Sequence, residues 1–271
     1  VSRPVEAAPA AGSIAAVPSA REATRERYAP QRSEPRSTGR RIAIFCDGAD
    51  VPDILATYRA GGVQGFTTNP TLMRKAGVTD YVSFARSLLS EIKDLPVSFE
   101  VFADSFPEME RQARLIASWG DNVFVKIPVT NTRGEFSGPV IRSLVRSGVQ
   151  LNVTALLTTE QVERVCELLA PDLPAIVSLF AGRIADTGRD PMPVMRDAVA
   201  IARRHGHVRI LWASPREVLN VYQAEECGCH IVTATKDILA KLPLHGKDLT
   251  EFSRETVQMF FDDARRAGYS L

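Results

Sequence analysis

Short runs rich in apolar and β-branched residues begin at Ile42, Gln64, Val97, Val123, Gln150, Ala175, Val208 and His230, and helix-like stretches separate most of them. Strand-helix units that repeat in this way over about 230 residues predict α/β class and a single (β/α)8 TIM barrel spanning residues 41–271. A doubly wound sheet is the alternative. It calls for a glycine-rich phosphate fingerprint after an early strand, and Asp47-Gly48-Ala49-Asp50 is not one. A further stretch, Leu249 to Arg266, reads as a long amphipathic helix carrying Phe252, Val257, Met259, Phe260 and Phe261.

One polar position breaks the apolar pattern. Lys126 stands inside Val123-Phe124-Val125-Lys126-Ile127-Pro128-Val129, a run that predicts a buried strand. A buried ammonium is costly unless it loses its proton or finds a partner. A neutral amine is what a nucleophile needs to condense with a carbonyl, so the run suggests a Schiff-base lysine. The alternative is a lysine at a strand end whose stem is buried and whose charge reaches water.

In barrels of this kind chemistry sits at the carboxyl ends of the strands. Here those ends read Asp47; Thr67, Thr68 and Asn69; Glu100; Lys126; Asn152 with Thr154; Ser178; Ser214; and Thr233 with Thr235. Each strand therefore finishes in polar side chains. Asn69 before Pro70 and Ser214 before Pro215 also have the form of helix N-caps with proline at the first helical position, and Ser214 with Glu217 has capping-box spacing.

Asp47, Thr67-Thr68-Asn69-Pro70, Phe99-Glu100-Val101, Val125-Lys126-Ile127-Pro128-Val129-Thr130, Asn152-Val153-Thr154, Ser178-Leu179-Phe180-Ala181-Gly182-Arg183-Ile184 and Ala213-Ser214-Pro215-Arg216 occur in that order. Together they resemble the transaldolase family, from about Arg41 to the end, and the compact core is similar in size to the short branch related to fructose-6-phosphate aldolase. The resemblance implies a transferase of carbohydrate metabolism, of the pentose phosphate type, that moves a dihydroxyacetone unit between sugar phosphates. By the same resemblance Lys126 forms the imine and Asp47 is the acid/base group. Glu100 with Thr154 holds a water for carbinolamine chemistry. Asn69, Asn152 and Ser178 bind substrate hydroxyls, to which their small neutral side chains both donate and accept. Arg183 and Arg216 take the phosphate, with Ser214 beside them, because guanidinium forks match phosphate oxygens. Arg216 is expected in a first helical turn, where a cation opposes the helix dipole and an anion would be welcome.

Glu100 and Phe180 follow the transaldolase pattern, since the aldolases typically carry Gln and Tyr at those places. A phosphate-sugar lyase is the second reading and a catalytically silent binding protein the third, which the joint presence of Lys126, Asp47 and Glu100 opposes. Trp212, Pro215 and Cys46-Asp47-Gly48 depart from the family pattern, so a specialised transaldolase-like enzyme acting on another sugar is a further alternative.

Composition narrows the classes further. With 271 residues, 45% hydrophobic content and net charge +1, the chain can bury a large core and carries no global field for nucleic acid or membrane. No cofactor or metal is expected. Cys46, Cys166, Cys227 and Cys229 form neither a CxxC pair nor a zinc pattern with the histidines, and they suggest a reducing, cytoplasmic setting. Cys227-Gly228-Cys229 reads as a turn with two buried thiols, and His205 and His207 as solvated loop residues. The expected partners are sugar phosphates and, by analogy with short relatives whose terminal helix packs on a neighbouring subunit, further copies of the chain; the alternative is that this helix seals the floor of its own barrel. Residues 1–40, rich in Ala, Pro, Ser, Arg and Glu and poor in large apolar side chains, are expected to be a disordered extension. Glu6, Glu22, Glu26 and Glu34 argue against a transit peptide there.

Overall fold

The computed structural model describes residues 41–271, and the expectation for residues 1–40 lies outside the described residues. Eight parallel strands close into a barrel in sequence order. They are β1 (Ala43–Asp47), β2 (Gly65–Thr67), β3 (Val97–Glu100), β4 (Val123–Pro128), β5 (Leu151–Leu156), β6 (Ala175–Leu179), β7 (Val208–Trp212) and β8 (Ile231–Ala234). The closing pair is β1 with β8. All eight strands begin within one residue of the positions that their apolar runs indicate, because a short apolar, β-branched run bounded by turn residues is a local signal.

Helices follow the strands around the outside. They are α1 (Val51–Ala60), α2 (Pro70–Lys75), α3 (Tyr81–Glu91), α4 (Phe106–Ala117), α5 (Gly138–Arg146), α6 (Thr159–Cys166), α7 (Ala181–Ala185), α8 (Met192–Arg203), α9 (Leu219–Glu226), α10 (Lys236–Leu239) and α11 (Leu249–Ala267). Local signals explain several starts. Asp50, Asn69 and Asp80 cap α1, α2 and α3 by accepting backbone N–H bonds, and Thr158 with Gln161 closes a capping box on α6. The expected cap at Ser214 does not form. The backbone there turns left-handed (φ 60°), and α9 starts only at Leu219.

Alternation along each strand builds two cores. Outward residues such as Val123, Val125, Val177, Ile210 and Trp212 pack beneath the helices. Inward residues Phe45, Phe124, Ile176, Leu211 and Ile231 form a separate cluster inside the barrel. A side chain two residues further along the same strand faces the same way, one pleat nearer the carboxyl end. Asp47 follows Phe45, Lys126 follows Phe124, Ser178 follows Ile176 and Thr233 follows Ile231. The apolar plug is thus the floor on which the polar layer rests. Gly65 makes room for the plug, since a Cβ there would lie 2.5 Å from the Phe45 ring.

The C-terminal helix α11 has the expected span but buries none of its residues; Leu249, Val257 and Phe260 are 79%, 64% and 63% exposed. Cys227 and Cys229 are buried thiols on either side of Gly228, which turns at φ 76°. His205 and His207 are half-buried rather than solvated, and burial lowers the His207 pKa, with His205 adding to the effect. Among the described residues no helix is long and apolar enough to cross a membrane, and no cluster of three or more His, Cys, Asp or Glu is placed to hold a metal.

Candidate active site

At the carboxyl ends of the strands lies a cavity of about 480 Å³. Lining it are Asp47, Asn69, Glu100, Lys126, Asn152, Thr154, Ser178, Phe180, Arg183, Ser214 and Arg216, together with Thr67, Thr233 and Thr235. All eleven site residues singled out from the sequence are therefore brought together.

Lys126 is 5% exposed and does not stand there as an isolated amine. Its Nζ donates to the Thr68 carbonyl at 2.9 Å and lies 3.0 Å from Glu100 Oε2. The buried position thus supplies both a carboxylate and a backbone acceptor to the amine. Glu100 is itself held from behind. The Tyr81 hydroxyl accepts from the Glu100 N–H at 2.8 Å and donates to its carbonyl at 3.1 Å. Tyr81 packs among Phe84, Phe99, Phe102 and Trp119, and burial keeps its phenol protonated well above the usual range.

Asp47 receives hydrogen bonds from Thr67 Oγ1 at 2.7 Å and Asn69 Nδ2 at 3.3 Å. Asn69 meanwhile accepts from the Leu72 N–H, so one amide both caps α2 and orients the carboxylate. Burial raises the Asp47 pKa above the ordinary carboxylate range; Lys126 opposes this most, Thr67 and Asn69 also oppose it, and Glu100 adds to the rise. Two carboxylates of different environment therefore flank one amine, an arrangement suited to proton transfer in both directions.

Across the cavity, Ser178 Oγ donates to Asn152 Oδ1 at 2.6 Å, and Asn152 Nδ2 donates to Ser98 Oγ at 3.1 Å. This chain fixes the Asn152 amide orientation. Thr154 Oγ1 is buried and has no hydrogen-bond partner among the described residues. Ala155 and Ser214, the non-glycine residues with positive φ among the described residues, both line the cavity. Left-handed backbone at such residues is costly and gathers at functional sites.

The two arginines differ from each other. Arg183 is exposed on α7 at the rim. Arg216 is not in a helical turn as expected; its loop is tied by the Asn220 side chain, which accepts from the Arg216 N–H at 2.7 Å. Its guanidinium forks onto Asp186, with Nε 3.0 Å from Oδ1 and a second contact through Nη2. Gly182 permits this packing: a Cβ there would lie 1.6 Å from the Ser214 carbonyl and 3.2 Å from Arg216 Nε. Tyr81, Asp186 and Gly182 were not legible as site residues. Each reaches the site through a contact distant in sequence, and only the phosphate-binding reading of Arg216 could have prompted a search for a partner such as Asp186.

The model of the transaldolase/fructose-6-phosphate aldolase family matches residues 44–271. A "Probable transaldolase" from Dehalococcoides mccartyi is 36% identical over 205 residues, covering 75% of this chain and 91% of the relative. Another from Thermoanaerobacter is 32% identical over 232 residues, covering 85% of this chain and 100% of the relative. A solved Burkholderia cenocepacia structure provisionally named a phosphonomutase shares 11% identity at a TM-score of 0.53, over 92% of this chain and 98% of that one, a likeness of fold alone. With a family match reaching from β1 to the last residue and relatives covered nearly end to end, this chain belongs to the transaldolase/fructose-6-phosphate aldolase family.

Proposed function

We propose that the protein is a transaldolase that transfers a dihydroxyacetone unit from a ketose phosphate, sedoheptulose 7-phosphate or fructose 6-phosphate, to an aldose phosphate through an imine on Lys126. The observation that carries this reading is the buried Lys126 amine 3.0 Å from Glu100, in a cavity that also holds Asp47. Passing a proton to Glu100 frees the amine to attack the ketone carbon. Loss of water from the carbinolamine, assisted by Glu100 and a water on the open Thr154 hydroxyl, gives a cationic imine. That imine draws in the electron pair of the C3–C4 bond as Asp47 takes the C4 hydroxyl proton. An aldehyde leaves, and the three-carbon enamine stays attached to Lys126. Addition of this enamine to a new aldehyde, with Asp47 returning the proton to the new alkoxide, reverses the sequence. Asn69, Asn152 and Ser178 hold the hydroxyls of the retained unit, and Arg183 and Arg216 hold the distal phosphate.

Phe180 places an apolar ring rather than a phenol at the cavity wall, which favours transfer over release of the three-carbon unit. The exposed apolar residues of α11 support assembly of several copies, and buried, unpaired thiols support a cytoplasmic setting within pentose phosphate metabolism. The test is incubation with fructose 6-phosphate, with and without erythrose 4-phosphate, followed by borohydride reduction. Transfer that requires the acceptor, with mass retained on the peptide bearing Lys126, is expected. Free dihydroxyacetone released as fast without acceptor would instead establish the lyase, and label on Lys236, the rival lysine just beyond the end of β8, would remove Lys126 from its role.

A further inference from the structure

The Thr67 hydroxyl on β2 stands between two other oxygens, 2.7 Å from Asp47 Oδ1 and 2.6 Å from Thr233 Oγ1. Thr67 and Thr233 are 2% and 5% exposed, and both line the cavity. They belong to β2 and β8, the two neighbours of β1 in the closed barrel, so their hydroxyls meet across the strand that carries Asp47. A hydroxyl has one proton to give and lone pairs to receive. An ionised Asp47 can only accept. Thr67 must then give its proton to Asp47 and, in its turn, accept from Thr233. A protonated Asp47 can give instead, which lets Thr67 turn its proton toward Thr233.

We propose that Thr233, acting through Thr67, is a positioning residue for Asp47: the two hydroxyls form a relay that strengthens the bond to the ionised carboxylate and reverses direction when Asp47 takes up a proton. The proposal deepens the transaldolase reading, since it rests on Asp47 being the acid/base group. Donation from Thr233 polarises the Thr67 O–H and makes it a better donor. The charges facing Asp47 come from elsewhere, Lys126 on β4 and Glu100 on β3, while Asn69 donates to its other oxygen. Neighbouring Cys46 on β1 carries no charge at neutral pH, its thiol pushed up to about 11 by burial. A change at Thr233 thus leaves every charged neighbour of Asp47 in place.

Thr233→Val keeps the shape and removes the donor; Thr233→Ser keeps the donor and removes a methyl group. In the full chain without substrate, the Asp47 carboxyl carbon resonance, identified by its absence in Asp47→Asn, is titrated by NMR. Thr233→Val should move the midpoint to higher pH, Thr233→Ser should restore it, and Thr67→Val should move it further, by roughly 1 to 2 pH units for a lost charge-assisted bond. The acid limb of the kcat/KM profile for transfer from fructose 6-phosphate to erythrose 4-phosphate should follow the same order. An unmoved midpoint in Thr233→Val, or equal shifts in the valine and serine variants, would overturn the relay. Because the NMR titration needs no turnover, failure of fructose 6-phosphate as a substrate would count against the transaldolase reading alone.

Discussion

Glu100 and Lys126 are register partners across β3 and β4, and their side chains meet at 3.0 Å inside the barrel. Residues paired directly across parallel strands project to the same face, so the ion pair is a consequence of register rather than of a flexible side chain finding a partner. Glu100→Gln keeps the size of that partner but abolishes its ability to accept a proton. Imine formation and hydrolysis should slow by roughly 10²- to 10⁴-fold, with the C–C cleavage step much less affected. Rapid-quench borohydride trapping reads the first step directly, and an unchanged trapping rate would exclude Glu100 from it.

Arg216 is held by Asp186 in a pair that is about half exposed on both sides, 47% and 50%. Such a pair contributes little to stability, so Arg216→Ala should leave unfolding free energy within about 0.5 kcal/mol of the parent. Binding is a different matter. Loss of a guanidinium fork to phosphate should cost roughly 1.5 to 3 kcal/mol, seen as a raised KM for phosphorylated acceptors and not for free glyceraldehyde. Equal effects on both acceptors would place the phosphate elsewhere.

Burial raises the Asp47 pKa in the folded protein, and the sign of that shift makes a prediction for stability. A carboxyl that binds its proton more tightly when folded penalises folding wherever it is ionised in both states. The penalty is absent below the unfolded value of about 3.9 and complete above the folded one. Asp47→Asn should therefore melt higher than the parent at pH 7 while losing activity, and the advantage should vanish as pH falls through the folded pKa. Calorimetry of both proteins between pH 4 and 8 checks this; a parent that melts higher at pH 7 contradicts it.

Phe180 follows the last residue of β6 and precedes α7, and its ring lies half-buried against the apolar plug while lining the cavity. A phenol there would bring a proton donor to the edge of the substrate space. Phe180→Tyr should raise acceptor-free cleavage of fructose 6-phosphate while transfer falls or stays level. Coupled assay of free dihydroxyacetone, run beside a transfer assay, separates the two. No rise in release would mean that retention of the three-carbon unit has another origin.

Helix α11 leaves Val257, Met259, Phe260 and Phe261 between 49% and 64% exposed. Large apolar side chains left this exposed on one helix suit a protein contact, and we propose that further copies of the chain cover them. Analytical ultracentrifugation should find a multiple of the 29.7 kDa chain, and Phe260→Asp should shift the distribution toward the monomer. A monomeric parent would exclude this assembly.

The short apolar, β-branched runs and the helix-like stretches between them by themselves determined the eight strands, their starts and the barrel class, because such runs are local features of the chain that can be read without tertiary contacts. The period of two along a strand also puts Asp47, Lys126 and Ser178 at the cavity, since they stand two residues beyond Phe45, Phe124 and Ile176, which form the plug beneath it. Closure decided the rest. The bond from Thr67 to Thr233 spans 166 positions, that from Tyr81 to Glu100 spans 19, and that from Arg216 to Asp186 spans 30. No short-range pattern encodes which hydroxyl or carboxylate lies beside which. Ser214 shows the limit most plainly: its sequence has the form of a capping box, yet the packing of its carbonyl over Gly182 sets a left-handed turn and delays the helix to Leu219. Local preference is worth about 1 kcal/mol at a cap, and the fit between β7 and α7 outweighs it.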